Sequence, residues 1–391
     1  MYQNLPVERV YYKINCVEER LIKEVNHYQA KNILVVSTNS LVKTAIFEHL
    51  LSLLQKNQCS TKVVTIKQHV QSDSLFEHMD DIKRFKPDLL ISCGGGTAID
   101  AAKIISFILS DEVNLEEIFL YSENKREKKI TMAKPIPHLA IPTTLSAAEF
   151  TSIAGITNVN DHIKYKFSHL ELTPKVVFLD PVFTTETPEW LFISTGMRAV
   201  DHAVETQYSP KPNPINCTLA LNALKKLYYG LMKCKEDPNN LETRLQCQVG
   251  AWMSLFSVVN IKLGLSHSIG HQIGALYNVP HGMTSAIMLP HVMEFLLPRT
   301  FEEQAQMTEV LEKAEPGMTV EEKAALAPKL IKDLVIDLNI PHRLRDFQVE
   351  KESLGQLVEN IMIDIGGEGN EFVMDTKDLR GEISKLVEKA W

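Results

Sequence analysis

The strongest constraint on the fold is an alternation of short apolar strands with helical segments in the first half of the chain. The pattern predicts strands at residues 32–37, 62–66, 88–93, 137–141 and 176–179, and helices at 18–28, 41–54, 73–85 and 97–109. Strands that alternate with helices form βαβ units, so these strands should lie parallel in one sheet. Such sheets bind ligands at the carboxyl ends of their strands. Functional residues are therefore expected directly after the strands.

The second half of the chain has a different character. Beyond residue 187 almost no strand pattern remains, and helices are predicted at 219–231, 241–258, 318–338 and 377–389. A chain of 391 residues is long enough for two domains. The sequence thus predicts an α/β domain over 1–185, followed by an all-helical domain over 186–391.

Charge and composition exclude several kinds of partner. The net charge is −8 and no block of lysine or arginine stands out, which disfavours nucleic acid and anionic membranes. We find no uninterrupted apolar stretch of about eighteen residues, the length that a membrane span needs. The six cysteines lack CxxC spacing and are expected to be reduced thiols. We expect a cytoplasmic protein with no nucleic-acid or membrane partner.

A glycine run follows the third predicted strand. Gly94, Gly95 and Gly96 come directly after residues 88–93, and Thr97 opens the next helix. Glycines let backbone amides approach a pyrophosphate, and a helix N-terminus adds partial positive charge. A plain turn capped by Thr97 is the alternative, but the succession of strand, glycines and helix favours a phosphate site. Gly95 is expected where the pyrophosphate lies, with a positive φ.

A second candidate loop follows the strand at 137–141. Its sequence, PTTLSAAE, places Thr143 and Thr144 directly after the strand end. Their hydroxyl groups are suited to hydrogen bonds with phosphate or ribose oxygens. Glu149, at the end of the loop, could instead cap a helix. The loop is therefore a second candidate for ligand binding at the same sheet edge.

Histidines cluster in residues 264–290. His267 and His271 are four residues apart, so on a helix they project from the same face. A turn at Pro280, His281 and Gly282 would bring a third imidazole onto the same pocket. A single helical histidine is usually a packed or solvated residue, so the cluster gains weight only from other features of the chain.

One such feature is the helical segment at 196–205, GMRAVDHAVE. Arg198, His202 and Glu205 share one face of this helix by their spacing. A surface ion pair is the alternative role for the two charged residues, and this alternative applies more to Glu205 than to Arg198. Asp201, one residue from His202, is expected to point elsewhere on the helix.

Several of these motifs resemble those of the iron-containing alcohol dehydrogenase family, which has the dehydroquinate synthase-like fold. GGGTAIDAAK is similar to the family's GGGSxxDxAK motif, PTTLSAAE to its PTT…SE loop, and the run from Gly264 to His281 to its GxxHxxxHxxG…PHG signature. The resemblance implies a dinucleotide-binding parallel-sheet domain followed by an all-helical domain, with the active site in the cleft between them. We also expect a homodimer.

The resemblance implies that NAD or NADP is the cofactor. It places the cofactor on the two loops and on one position after the first predicted strand. The residues concerned are Thr38, Gly94, Gly95, Gly96, Thr97, Asp100, Thr143, Thr144 and Leu145. The family has an acidic residue after an early strand that excludes a 2′-phosphate, whereas the segment here, VSTNS, has no carboxylate. NADPH is therefore expected to be tolerated.

The resemblance also raises the question of a metal. The family holds iron or zinc with one aspartate and three histidines, and His202, His267 and His281 fall on the histidine positions. The aspartate position is Arg198, whose guanidinium cannot ligate a cation and would repel it. We therefore expect no bound metal. A three-histidine site completed by water is the alternative.

Loss of the aspartate is a feature of the maleylacetate reductase branch, whose helix reads NAxxHAVE, and the segment MRAVDHAVE resembles that helix from Ala199 onward. This implies hydride transfer between nicotinamide and a small oxo-acid, enone or aldehyde/alcohol, with Arg198 paired to a substrate carboxylate. The imidazoles of His202, His267 and His281 would polarise the substrate oxygen, and His271 would shuttle a proton. Alternatives are a metal-dependent alcohol dehydrogenase, a dehydroquinate synthase-like cyclase and a non-catalytic cofactor-binding protein.

Overall fold

The protein divides into two compact units. A computed structural model describes residues 2–368 and 378–391. The units are Met1–Thr187 and Pro188–Trp391. The division lies two residues beyond the boundary expected from the sequence.

The first unit is a parallel α/β unit. Its strands are β1 (Arg9–Tyr12), β2 (Asn32–Ser37), β3 (Ser60–Thr65), β4 (Leu89–Gly94), β5 (His138–Pro142), β6 (Ile153–Thr157), β7 (Lys164–Ser168) and β8 (Val176–Leu179). Its helices are α1 (Cys16–His27), α2 (Ala45–Lys56), α3 (Ser72–Phe76), α4 (Met79–Phe85) and α5 (Gly96–Ser110). Six strands form a parallel sheet in the order β1-β8-β5-β4-β2-β3, and β6 and β7 form an antiparallel pair. This confirms the predicted fold class of the first half.

The sheet is buried on both faces. Along β2, Ile33 and Val35 point to one side, where they join an apolar cluster with α1 and α2. Leu34 and Val36 point to the other side, toward a cluster with α5 and the β6–β7 pair. All four side chains are fully buried. Burial on both faces explains why the parallel strands appear in the sequence as continuous apolar runs.

Three strands were absent from the sequence-based prediction. β1 has only four residues, too few to establish a pattern. β7 does alternate between exposed and buried positions, but its sequence, KYKFS, carries two lysines on the exposed face. β6 contains Gly155, which weakens a strand pattern. Two predicted helices are also interrupted: a 3₁₀ turn at Leu41–Lys43 precedes α2, and the segment 73–85 separates into α3 and α4.

A buried lysine fastens the loop after β5 to α5. Lys103 is fully buried, and its Nζ donates hydrogen bonds to the carbonyl oxygens of Ala148, Thr151 and Ile153 at 2.7–2.8 Å. The hydroxyl of Thr151 lies 3.0 Å from the same Nζ. A cation with this many acceptors fixes the backbone of residues 148–153, because each bond to a charged donor is stronger than a neutral one.

Replacing this lysine with an apolar chain of similar length should weaken the first unit. We expect Lys103→Met to lower the free energy of unfolding by about 2–4 kcal/mol, because buried carbonyl oxygens lose a charged donor. Denaturant titration measures the loss, and amide hydrogen exchange should locate it at residues 148–153. Lys83→Met, at an exposed position of α4, is the control. A loss no larger than in the control would show that Lys103 does not fasten the loop.

The second unit is helical. Its helices are α6 (Glu189–Gln207), α7 (Pro214–Glu236), α8 (Leu241–Ser254), α9 (Leu265–Tyr277), α10 (His281–Leu296), α11 (Phe301–Val310), α12 (Val320–Asp337), α13 (Leu354–Glu368) and α14 (Leu379–Ala390). None of the described residues of this unit lies in a strand, which confirms the predicted helical character of the second half. The predicted helix at 377–389 corresponds to α14, and Lys377 lies outside the described residues.

Within this unit α6 lies in contact with α7, α8, α9 and α10. The approach of α10 depends on Gly282, since a Cβ at that position would lie 2.2 Å from the carbonyl oxygen of Ser194 in α6. The two helices therefore pack backbone to backbone at the first turn of α10. This contact brings His281, the first residue of α10, beside α6.

No single helix in the described ranges is long and apolar enough to cross a membrane. The segments Leu241–Asn260 and Leu265–Tyr277 reach the required length and composition only as a pair, across a bend of 98°.

Candidate active site

The residues predicted to bind the cofactor share one edge of the sheet in the first unit. Thr38 follows β2, the three glycines begin at the end of β4, and Thr143 follows β5. β2 pairs with β4, and β4 pairs with β5, with Gly94 opposite Pro142. From β2 the chain adds β3 on one side of the sheet, and from β4 it adds β5 on the other side. The order of the strands therefore reverses between β2 and β4. Open α/β sheets bind ligands at such a point.

The glycine turn is shaped by its neighbours. Gly94 has a φ of 150°, a conformation that side chains rarely adopt. Gly95 has a φ of −81°, so the positive φ expected there is wrong and belongs to the preceding residue. Gly95 is restricted for another reason: a Cβ would lie 2.9 Å from Cγ2 of Thr144. α5 begins at Gly96, so the turn leads directly into a helix N-terminus, as a phosphate site requires.

The loop after β5 is tied to this turn. The backbone N–H of Thr143 donates to the carbonyl of Gly94 at 3.1 Å, and the carbonyl of Thr143 accepts from the hydroxyl of Thr187. Thr144 lies against Gly95, while Leu145 is buried. The two predicted loops are thus bonded to each other at the carboxyl ends of β4 and β5. Their role in binding a dinucleotide stays a prediction.

Two acidic residues near this edge have roles that the sequence did not reveal. The carboxylate of Asp100 accepts a hydrogen bond from the backbone N–H of Gly155 at 3.1 Å, which ties α5 to β6. Glu149 lies in a 3₁₀ turn, Ala148–Phe150, whose N-cap is Ala147, so its suggested role as a helix cap is wrong. Its side chain is buried, and burial raises the pKa of Glu149 to about 7.

In the second unit, α6 carries a buried group of charges. The side chain of Arg198 is only 11% exposed, and those of Asp201 and Glu205 are fully buried. Nη1 of Arg198 donates to the hydroxyl of Ser285 at 3.1 Å and lies 3.7 Å from Oδ2 of Asp201. The expectation that Asp201 points elsewhere on the helix is wrong, and Glu205 is buried rather than part of a surface ion pair. Positions 198 and 201 have helical i, i+3 spacing, the signal that would have placed Asp201 on the face already assigned to Arg198, His202 and Glu205.

Glu205 holds the start of α9. Its carboxylate accepts hydrogen bonds from the backbone N–H groups of Gly264 at 2.7 Å and Ser266 at 2.6 Å. It also lies 2.6 Å from Nδ1 of His267. A Cβ at position 264 would lie 2.8 Å from the carboxylate, so glycine is needed for this approach. A carboxylate at a helix N-terminus is favoured by the unpaired amides there, and it fixes the orientation of the His267 ring.

Asp201 links three helices. Its Oδ2 accepts from the hydroxyl of Ser266 in α9 at 3.0 Å and from that of Ser285 in α10 at 2.6 Å. Ser285 also accepts a hydrogen bond from Arg198. The guanidinium of Arg198, the hydroxyl of Ser285 and the carboxylate of Asp201 therefore form one chain of contacts. Asp201 and Glu205 are therefore structural partners of the candidate catalytic residues, and both were missed at the level of the sequence.

The four predicted histidines gather beside these charges. The rings of His202 and His267 stack with centroids 5.0 Å apart, and those of His271 and His281 meet edge to face at 5.6 Å. His202 and His267 are buried, His281 is half-buried and His271 is exposed. The structure thus brings Arg198 and all four imidazoles into one region of the second unit.

Burial and charge set the protonation of this group. Burial, followed by the charge of Arg198, lowers the pKa of His202 and of His267 well below the usual value, so both imidazoles are neutral. Burial raises the pKa of Asp201 to about 6 and that of Glu205 well above its usual range. The charges of Arg198, Asp201 and Glu205 sum to +1 − 1 − 1 = −1 when both carboxylates are ionised, and to zero when one holds a proton. The site carries no excess positive charge.

The donor set does not suit the metal that the family resemblance implies. Nε2 of His267 is buried and has no hydrogen-bond partner within the described chain, as a ligand atom would. However, the guanidinium of Arg198 takes the place of the carboxylate ligand, and its charge acts on both His202 and His267. Among the described residues, the metal-ligating atoms that converge within 4.8 Å belong to Asp201, Glu205 and His267. That set differs from the three histidines, and its Asp201 is already a counter-ion of Arg198.

Comparison with known proteins agrees with the fold and identifies the family. Residues 8–181 match the family described as iron-containing alcohol dehydrogenase, and residues 192–391 match the C-terminal part of the same family. The class that fold and site define is thus a two-unit oxidoreductase of the dinucleotide-dependent kind. The chain belongs to the iron-containing alcohol dehydrogenase family, which confirms the resemblance found in its sequence.

Individual relatives show the breadth of that family. The NAD-dependent methanol dehydrogenase of Bacillus methanolicus is 27% identical over 352 residues, which cover 90% of this chain and 91% of that protein. The maleylacetate reductase of Pseudomonas sp. strain P51 is 28% identical over 252 residues, 64% of each chain. The crystal structure of a 1,3-propanediol oxidoreductase superposes with a TM-score of 0.90 at 24% identity and full coverage of both chains. The last of these supports the fold alone.

A substitution in the glycine turn tests its assignment. We expect Gly95→Val to lower nicotinamide-nucleotide affinity at least about tenfold, because the side chain meets Thr144 and opens the turn. Gly96→Ala is the matched control, since the nearest atom to a Cβ there is 3.6 Å away. Calorimetric titration of both variants measures the affinities. Unchanged affinity in Gly95→Val would mean that the dinucleotide binds elsewhere.

Proposed function

We propose that this protein is an NAD(P)-dependent oxidoreductase in which Arg198 performs the electrostatic role that a metal has elsewhere in the family. The observation that carries the proposal is the guanidinium itself, which is largely buried, bonded to Ser285 and close enough to His202 and His267 to lower the pKa of both imidazoles. The first unit supplies the glycine turn for the dinucleotide, and the second supplies the polar groups for the substrate.

In the reduction, hydride passes from the nicotinamide to a carbonyl carbon and a proton passes to the oxygen. The oxygen gains negative charge in the transition state, where a fixed donor in a site of low dielectric is most effective. Arg198 remains protonated and has further N–H groups beside the one bonded to Ser285. A single donor of this kind contributes about 3–4 kcal/mol to transition-state stabilisation.

The four histidines have different roles in the proposed reaction. His202 and His267 are neutral, and the Nδ1 atom of His267 is bound to Glu205, so its ring is held in one orientation. His271 is exposed, which suits the exchange of a proton with solvent, and we assign it the proton shuttle. The ring of His281 lies beside that of His271 and contributes a further polar group to the substrate site.

The charge balance bears on the substrate. The expectation of a carboxylate-bearing substrate assumed that the charge of Arg198 is free, whereas Asp201 lies 3.7 Å from it and Glu205 is close by. We therefore favour a small neutral aldehyde or ketone and its alcohol. A carboxylate-bearing oxo-acid or enone is the second candidate, supported by the similarity to maleylacetate reductase. Homodimerisation and a cytoplasmic location remain predictions.

A screen of substrates and nucleotides tests the proposal. We expect NADH and NADPH both to be oxidised in the presence of neutral aldehydes. 2-Oxo acids should react at least about tenfold more slowly, because the carboxylates of the site repel the carboxylate of the substrate. Absorbance of the reduced nucleotide gives the rates. A thousandfold preference for NADH would contradict the assignment of the loop at Thr38. Product formation without net nucleotide consumption would indicate a cyclase, and nucleotide binding alone a non-catalytic protein.

The metal content provides an independent test. Arg198 puts a guanidinium, which cannot ligate a cation, where the family has its carboxylate ligand, so the purified protein should carry well under one metal per chain. Arg198→Asp should bind zinc or ferrous iron close to stoichiometrically, as measured by elemental analysis. The variant Arg198→Asp with His281→Asn is the control and should lose that metal. Stoichiometric metal in the natural protein, with activity lost on chelation, would contradict the proposal.

A further inference from the structure

Two of the six thiols face each other away from the candidate active site. Cys234 in α7 and Cys247 in α8 have their Sγ atoms 3.9 Å apart, within hydrogen-bond distance for sulfur. Both side chains are buried, and both thiols are free. Neither residue has a part in the proposed function.

Local packing holds the two sulfur atoms in place. Gly230 lies one helical turn before Cys234, and a Cβ at that position would lie 2.6 Å from Sγ of Cys247. Glycine at 230 therefore leaves the space that the second thiol occupies. α7 and α8 pack along their lengths, so a sulfur on one helix cannot turn away from the other without disturbing that contact.

The surroundings make the two thiols chemically unequal. The hydrogen bond from Cys247, together with the charge of Arg244, lowers the pKa of Cys234. The hydrogen bond to Cys234 and burial raise the pKa of Cys247. Arg244 is held in position because its Nε donates to the carbonyl of Pro238 and its guanidinium stacks on Phe192, 4.4 Å from the ring centroid. Cys234 is thus the more readily ionised of the two thiols and the better nucleophile, and Cys247 is placed to act as its resolving partner.

We propose that Cys234 and Cys247 form an oxidative modification site at which a hydroperoxide closes a reversible disulfide between α7 and α8. The thiolate of Cys234 attacks the peroxide oxygen, forms a sulfenic acid and releases hydroxide. Sγ of Cys247 then attacks the sulfenic sulfur, the S–S bond forms, and the departing hydroxide takes the thiol proton of Cys247 and leaves as water. The hydroxide released in the first step takes up the proton that Cys234 lost when it ionised, so two thiols and hydrogen peroxide give one disulfide and two waters.

A cavity adjoins the pair through Gly230. Its volume is about 230 Å³, and Gly230 forms part of its wall beside Tyr229, Lys233 and Thr243. The same glycine lies against the thiol, since a Cβ at that position would be 2.6 Å from Sγ of Cys247. A hydroperoxide is small enough to occupy this cavity. Closing the bond requires the sulfur atoms to approach by about 2 Å, a small sliding of α8 against α7.

The test compares oxidation products in the folded protein. The reduced protein is treated with hydrogen peroxide, its remaining thiols are alkylated, and digested peptides are analysed by mass spectrometry. We expect a peptide containing Cys234 joined to one containing Cys247, two hydrogens lighter than the sum of the two, and its loss on treatment with dithiothreitol. The linkage should form ahead of oxidation at Cys59, which is more exposed.

Two variants serve as controls. Cys234→Ser should abolish the linked peptide, which is two hydrogens lighter than the sum of its two parts. Cys59→Ser should leave the yield of that peptide unchanged. The peptide map of the natural protein is decisive on its own, so the test does not depend on how either variant folds. Absence of the linked peptide, its appearance only after denaturation, or sulfinic acid at Cys234 in its place would overturn the proposal.

Discussion

The candidate site depends above all on two carboxylates buried in α6. Glu205 occupies the N-terminus of α9, where it pairs with backbone amides and with His267. Asp201 accepts from serines of α9 and α10 and lies beside Arg198. Pairing stabilises a buried carboxylate, and both oxygens of Glu205 and Oδ2 of Asp201 are paired here, so the burial of these groups requires the three helices to meet in this arrangement. The positions of the imidazoles follow from that requirement.

Much of the fold could be predicted from the sequence because its signals are local. Apolar runs predict five of the six strands of the sheet, and the glycine run at the end of β4 predicts the turn into α5. The spacing of His267 and His271 placed them on one helical face, and the turn at His281 returned to the same region. These inferences needed only the periods of strands and helices and the special geometry of glycine.

The remaining parts depend on contacts between distant segments. Glutamate is usually a surface residue. Glu205 can be buried only because it pairs with backbone amides some sixty positions later in the chain. Lys103 likewise has an ordinary helical position, but its partners lie in the loop after β5. The positive φ was assigned to Gly95 rather than Gly94 because a row of glycines does not show which of them the turn distorts. Each error concerns a polar or conformational detail whose cause lies outside the local sequence.

The pairing of Arg198 with Asp201 also limits which residues position 198 can carry. The two residues are one helical turn apart, and Glu205 lies one turn further on, so the cation at 198 is the compensating charge for a buried acidic pair. A neutral residue at 198 would leave two carboxylates close together in the interior, at a cost of about 3–5 kcal/mol. Position 198 can therefore be changed without that cost only if another cation takes over the compensation.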